Sequence, residues 1–141
     1  SGGVWKTTDG GTTFKPVFDD QPVQAIGALA IADTDPNQVW AGTGESWLIR
    51  YSDVMGDGVY KSTDAGATWK NMGLRETGRI ARVIVHPTNA NTIYVCAVGR
   101  ATGPQQERGG IDGPARDDKK GRMHRHRRAV PHDLGRHHAR A

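Results

Sequence analysis

Two aspartates are the first residues in this 141-residue sequence whose surroundings suggest chemistry. Asp9 and Asp64 each stand two residues before a glycine and four residues before a threonine that precedes an aromatic residue. General acid/base catalysis by carboxylates needs two of them held a set distance apart across the substrate. These two are 64 − 9 = 55 residues apart and have matching neighbours, so they occupy equivalent places in two repeated units. We therefore predict that both stabilise turns and that neither is catalytic.

The repeated motif around each aspartate reads Ser/Thr-x-Asp-x-Gly-x-Thr-Trp/Phe and follows a Gly-Val-aromatic-Lys run. An aromatic, apolar run followed by Asp-x-Gly is typical of a β-hairpin. The Asp side chain can accept hydrogen bonds from backbone N–H groups a residue or two further on, and the Gly can adopt a positive φ. The final aromatic ring is expected to cover the hairpin with its apolar face. The predicted structural residues are Thr7, Asp9, Gly11, Thr13, Phe14, Ser62, Asp64, Gly66, Thr68 and Trp69.

This motif resembles the Asp-box, or BNR repeat, of sialidases, xyloglucanases and sortilin-like receptors. In those families the box is a structural turn at the outer corner of a propeller blade, away from the central site. The resemblance covers about residues 1–110, and residues 42–45 and 56–64 are most similar to bacterial sortilin-like or glycosyl-hydrolase-like repeat proteins. It implies an all-β fold made of two four-stranded propeller blades. It also implies export to the periplasm or the cell exterior.

The order of elements within each unit is the box hairpin, an inner strand, a turn and a strand rich in small residues. Inner strands are predicted over residues 24–32 and 79–85, and the small-residue strands over 39–44 and 92–98. The predicted domains are a first blade with its connecting loop (1–57), a second blade (58–108) and a disordered tail (109–141). Because propellers need about 4–8 blades, we expect a fragment whose partners are the remaining blades of a parent propeller. Alone, such a fragment is expected to be aggregation-prone.

The predicted tail differs in composition from the rest of the chain. Residues 1–108 hold ten Lys/Arg and eleven Asp/Glu, a balance of 10 − 11 = −1, whereas residues 109–141 hold nine and four, a balance of 9 − 4 = +5. Such a tail could bind nucleic acid through phosphates, although it lacks aromatic residues to stack on bases. Five of its residues could bind a metal: His124, His126, His132, His137 and His138. We favour a third hypothesis, because this composition is what a GC-rich gene yields when it is read in a wrong frame. No metal, cofactor or nucleic acid is therefore predicted.

The segment between the two units mixes aromatic and charged residues. Its candidate binding residues are Glu45, Trp47, Arg50, Tyr51, Asp53 and Asp57. Trp and Tyr stack on sugar rings or peptide side chains, and loops on rigid scaffolds are where binding residues concentrate. The alternative is a surface loop without a special role. Xyloglucanases use a pair of aspartates in a central cleft, and neither can be placed here, so no catalytic residue is assigned.

Two single residues receive structural interpretations. Cys96 excludes an internal disulfide and lies in an apolar run, so it is expected to be a small buried core residue. His86 precedes a proline and is expected to support a turn. No run approaches the ~18 apolar residues of a membrane span.

The sequence thus favours a non-enzymatic propeller segment that offers a binding or scaffolding surface to a protein or a glycan. One alternative is part of a glycoside hydrolase that acts on a polysaccharide. The other is a nucleic-acid binder with a basic tail.

Overall fold

The computed structural model describes residues 2–46 and 54–99, together with the backbone of residues 109–114. In these residues the chain is nearly all β, which confirms the predicted fold class. The strands are β1 (Trp5–Lys6), β2 (Lys15–Pro16), β3 (Ile26–Ala32), β4 (Asp35–Thr43), β5 (Val59–Ser62), β6 (Lys70–Gly73), β7 (Ile80–His86), β8 (Asn89–Ala97) and β9 (Gly109–Pro114). A short 3-10 helix lies between β6 and β7, at Arg75–Thr77. The described helical residues include no segment that is long and apolar enough to cross a membrane.

The strands form three antiparallel groups. These are the first hairpin (β1–β2), a four-stranded sheet in the order β3-β4-β5-β6 and a three-stranded sheet in the order β7-β8-β9. A meander of four antiparallel strands is the arrangement of a propeller blade.

The two predicted hairpins share one register. Trp5 pairs with Pro16 in the first hairpin, and Tyr60 pairs with Asn71 in the hairpin formed by β5 and β6. Both members of the second pair are 55 residues further along the chain, since 60 − 5 = 71 − 16 = 55. The sequence repeat is therefore also a repeat of hydrogen-bonded structure.

The strands that follow each hairpin repeat as well. Ala30 pairs with Trp40 in the four-stranded sheet, and Ile84 pairs with Tyr94 in the three-stranded sheet, an offset of 84 − 30 = 94 − 40 = 54. Two antiparallel strands joined by a tight turn thus recur with nearly the same spacing as the hairpins.

β9 corrects the predicted start of the tail. Residues 109–114, which the change in composition placed in a disordered tail, instead pair with β8 from Thr92 to Ala97. Asp112 pairs with Tyr94 just as Lys61 pairs with Trp40, so β9 takes the place in its sheet that β5 takes in the four-stranded sheet. The rest of the predicted tail, residues 115–141, lies outside the described residues.

The four-stranded sheet also crosses the expected boundary between the two units at residues 57 and 58. β3 and β4 precede that boundary and β5 and β6 follow it. The repeat can be divided at any point along its period, and only long-range pairing decides which strands share a sheet. Here the second hairpin pairs with the strands before it, so one hydrogen-bonded unit runs over residues 26–73.

The main core lies between the two larger sheets. It consists of Trp40, Val59, Leu74, Ile80, Val83, Ile93 and Val95. Trp40 is fully buried, and its Nε1–H donates a hydrogen bond to the carbonyl oxygen of Ala90 across the interface, at 3.2 Å. A Cβ at Gly42 would collide with the side chain of Ile80, which explains why β4 is rich in small residues.

A second, smaller core joins the first hairpin to the four-stranded sheet. Phe18 packs edge to face on Tyr60, with ring centroids 5.2 Å apart, and on Trp69, with centroids 5.0 Å apart. The Trp69 Nε1–H donates to the carbonyl oxygen of Val17 at 2.6 Å. Trp69 thus covers its hairpin as expected, but the equivalent Phe14 does not, because its side chain is 56% exposed. Trp69 has the ring of Phe18, from the preceding unit, beside it, whereas Phe14 has no such ring contact among the residues that the structure describes.

Cys96 is exposed, and the expectation of a buried thiol was wrong. Side chains alternate along β8, so Ile93 and Val95 face the main core while Tyr94 and Cys96 point to the other side of the sheet. His86 lies at the turn between β7 and β8, where its Nδ1 accepts a hydrogen bond from the backbone N–H of Thr88 at 3.2 Å.

Candidate functional site

The carboxylate of Asp9 is bound on both oxygens by its own turn. Oδ1 accepts hydrogen bonds from the Thr7 hydroxyl at 2.8 Å and the Thr13 backbone N–H at 2.9 Å, and Oδ2 accepts one from the Thr13 hydroxyl at 2.6 Å. The Thr7 hydroxyl oxygen in turn accepts from the N–H of Gly11 at 2.9 Å. The backbone donor to Asp9 is four residues further on, and not one or two as predicted. Gly11 has a φ of 92°, as its place in the turn requires.

Asp64 repeats this geometry. It accepts hydrogen bonds from the Ser62 hydroxyl at 2.7 Å, the Thr68 N–H at 2.8 Å and the Thr68 hydroxyl at 2.5 Å. The N–H of Gly66, whose φ is 91°, donates to the Ser62 hydroxyl oxygen at 2.8 Å. The two turns therefore use the same donors at the same spacing.

These hydrogen bonds hold both carboxylates in the ionised form. The side-chain hydrogen bond from Thr13, followed by the backbone one, lowers the pKa of Asp9 to about 2. The side-chain hydrogen bond from Thr68, followed by the backbone one, likewise lowers the pKa of Asp64 to about 2. A general acid or base works best when its pKa lies near the operating pH. Such carboxylates are therefore suited to fixing a turn and poorly suited to transferring protons at neutral pH.

The second turn is also attached to its surroundings through Ala65. The Lys6 ammonium donates to the carbonyl oxygen of Ala65 at 2.9 Å, and the N–H of Ala65 donates to the carbonyl oxygen of Asn37 at 2.9 Å. One turn residue thus links the first hairpin, β4 and the second hairpin.

A different carboxylate, Asp57, has one oxygen that is hydrogen-bonded and one that is buried without a hydrogen bond. Asp57 Oδ2 accepts a hydrogen bond from the Tyr60 hydroxyl at 2.6 Å and lies 3.3 Å from Nη1 of Arg75. Its backbone N–H donates to the Thr43 hydroxyl, and its carbonyl oxygen accepts from the Asn71 amide at 3.1 Å. Asp57 Oδ1 is buried and has no hydrogen-bond partner among the residues that the structure describes.

An unsatisfied buried acceptor typically costs about 1–3 kcal/mol, so Asp57 Oδ1 can be stabilised by a donor from elsewhere. The neighbouring Tyr60 stays a neutral phenol, because burial, and then its hydrogen bond to Asp57, raise its pKa. Only Oδ2 is engaged by Tyr60 and Arg75, and Oδ1 remains the acceptor to which an O–H or N–H group could bind.

The candidate binding loop has a fixed base. The N–H of Glu45 donates to the carbonyl oxygen of Val54 at 3.1 Å, which joins the two ends of the loop. The N–H of Gly56 donates to the carbonyl oxygen of Gly78 at 2.6 Å and ties the loop to the start of the three-stranded sheet. Of the six predicted loop residues, the structure places Glu45 and Asp57. The other four, Trp47, Arg50, Tyr51 and Asp53, lie outside the described residues.

Sequence reasoning found Asp57 but missed the residues around it. Tyr60 stands three residues further on, within the reach of a local pattern, and would have been the detectable partner. Asn71 comes from β6 and Arg75 from the 3-10 helix, and only the folded hairpin brings them to Asp57. In the described part of the chain, no three His, Cys, Asp or Glu side chains come together as metal ligands. The five tail histidines are outside it.

Comparison with known proteins gives only weak structural similarity. No family model matches the chain, and no curated protein matches it. Among solved structures it is similar to a GH74 enzyme of Niastella koreensis, with 19% sequence identity and a TM-score of 0.47. The similarity covers 67% of this chain and 14% of that one, so the chain spans about one seventh of that enzyme's length.

Proposed function

We propose that this chain is a non-catalytic segment of an Asp-box β-propeller of the sortilin-like kind, and that it scaffolds a loop that binds a ligand. The observation that carries the proposal is the identical self-contained bonding of Asp9 and Asp64. Each carboxylate accepts hydrogen bonds from residues of its own turn and has a pKa of about 2. Repeat aspartates of this kind support a framework, which leaves ligand recognition to the connecting loop.

The chemistry around Asp57 favours a ligand with hydroxyl groups. Its Oδ1 is a buried acceptor without a donor among the described residues. Sugar hydroxyls donate to carboxylates, and the loop that ends at Asp57 also contains Trp47 and Tyr51, which are suited to stacking on sugar rings. A glycan is therefore the ligand that we propose, with a protein surface as the other member of the same binding class.

The test is titration of the chain with xyloglucan oligosaccharides by calorimetry. Trp47→Ala and Asp57→Asn should each weaken binding at least tenfold. The matched control is Trp5→Ala, since Trp5 is 56% exposed in the first hairpin and remote in sequence from the loop. Saturable binding that Trp5→Ala abolishes equally, or no saturable binding of the oligosaccharides, would contradict the proposed glycan ligand. Release of reducing ends in the same samples would instead favour the glycoside hydrolase.

A further inference from the structure

The outer face of the three-stranded sheet is exposed although it carries large apolar side chains. This face, on the side away from the main core, presents Arg82, Ile84, Tyr94 and Cys96. Ile84 is 47% exposed and Tyr94 is 42% exposed. They pair directly across β7 and β8, so their side chains lie side by side.

The equivalent face of the four-stranded sheet is covered. With the offset of 54 residues, Ile84 and Tyr94 correspond to Ala30 and Trp40. Trp40 is fully buried against the three-stranded sheet, and Ala30 packs on the same core. The outer face of the three-stranded sheet is thus equivalent to the face of the four-stranded sheet that carries Ala30 and Trp40, but no second sheet covers it in the described residues.

The complementary face is present at the other end of the stack. Val83 belongs to the same core as Trp40, and the offset of 54 residues makes Leu29 its equivalent in the four-stranded sheet. Leu29 is 49% exposed and its neighbour on the same face, Ile31, is 56% exposed. One chain therefore exposes large apolar side chains on both of the faces that form its sheet-to-sheet interface.

We propose that a second copy of this chain docks head to tail on the outer face. Ile84 and Tyr94 of one copy would pack on Leu29 and Ile31 of the next, in the stacking that the four-stranded and three-stranded sheets already show. The two surfaces differ, so the contact is heterologous and can continue into open chains of molecules. This inference is independent of the proposed ligand.

The register adds a strand exchange to this docking. Trp5 and Lys6 of the first hairpin have the same pairing as Tyr60 and Lys61, so β1 is equivalent to β5. β9 is also equivalent to β5. When a second copy stacks in the same way, its β1 and the β9 of the first copy both fall beside β8, where only one strand can pair. The first hairpin of the second copy therefore replaces β9 there. Its Lys6 would then meet Tyr94 as Lys61 meets the Trp40 ring, 5.0 Å from its centroid.

The experiment is sedimentation of the full chain and two charge variants over a range of concentrations. The wild type should form dimers and longer species as its concentration rises. Leu29→Lys and Ile84→Lys should each be monomeric, because each blocks one of the two faces. Their equimolar mixture should form a dimer of doubled mass and nothing larger, since each variant keeps the face that the other lacks.

The mixture also shows that both variants fold, because an unfolded variant could not complement its partner. Thr88→Lys, at an exposed turn, is the matched control and should associate like the wild type. A monomeric wild type at all concentrations, or a mixture that stays monomeric, would overturn the proposal.

Amide hydrogen exchange tests the strand exchange, since association should increase exchange in residues 109–114 and protect Trp5 and Lys6. Association that leaves both segments unchanged would overturn it.

Discussion

Lys6 and Ala65 are 59 residues apart in the chain and are joined by a hydrogen bond of 2.9 Å from the lysine ammonium to the alanine carbonyl oxygen. Ala65 has a φ of 56°, which places an L-residue in the left-handed region. The equivalent residue of the first turn is Gly10, with a φ of 70°. The second turn therefore adopts, with alanine, a conformation that the first turn adopts with glycine.

The strain at Ala65 predicts that Ala65→Gly stabilises the protein. The left-handed conformation costs an L-residue roughly 1–2 kcal/mol, and the greater freedom of glycine in the unfolded chain offsets about 0.4–1 kcal/mol of that gain. We expect the free energy of unfolding, measured with urea at a dilution where the chain is monomeric, to rise by about 0.5–1 kcal/mol. Ala67→Gly is the control, because Ala67 has a negative φ, and it should destabilise. An Ala65→Gly protein less stable than the wild type would show that the turn is not strained.

The hydrogen bonds to Asp9 and Asp64 predict a loss of stability in acid. Both pKa values are lowered from 3.8 to about 2, so the folded protein binds these protons less readily than the unfolded chain does. The ionised carboxylates thus stabilise the fold above pH 4, and that contribution disappears as the pH falls from about 4 to about 2. The free energy of unfolding should fall across this window, and less so in the Asp9→Asn, Asp64→Asn double variant.

A matched pair of threonine variants tests the cause of the lowered pKa of Asp9. The Thr13 hydroxyl donates to the carboxylate, whereas the Thr12 hydroxyl donates to the carbonyl oxygen of Asp9. In a titration followed by NMR of the Asp9 side chain, Thr13→Val should raise the pKa towards 3.8, and Thr12→Val should change it much less. Equal shifts in the two variants would assign the effect to the turn as a whole.

The features that the sequence predicted depend on local chemistry. The Asp-x-Gly turn uses donors within four residues of the aspartate, and the hairpin register follows from the turn. The pairing of Trp5 with Pro16 and of Tyr60 with Asn71 could therefore be inferred from the 55-residue repeat. The alternation of apolar residues likewise located β3 and β7.

The features that the sequence did not predict depend on long-range contacts. Which strands share a sheet with β5, and which side of β8 is covered, is decided by elements far away in the chain. Cys96 lies in an apolar run but on the uncovered side of its strand, and the pattern of a single strand does not tell the two sides apart. The partners of Asp57 were missed for the same reason, because Arg75 reaches it only through the folded hairpin.

The equivalence of β9 and β5 predicts a third turn in the gene. Because Asp112 and Lys61 are register equivalents, the offset here is 112 − 61 = 51, which places a third aspartate at 64 + 51 = 115. The chain has Ala115 there, inside the Arg- and His-rich segment.

If that segment is read in a wrong frame, nucleotide sequencing across codons 100–141 should reveal a single-base change. The restored frame should encode a Ser/Thr-x-Asp-x-Gly motif with its aspartate near codon 115. A frame that stands as written would leave the basic tail as genuine sequence, and binding of zinc or DNA by the full chain would become the measurement that decides its role.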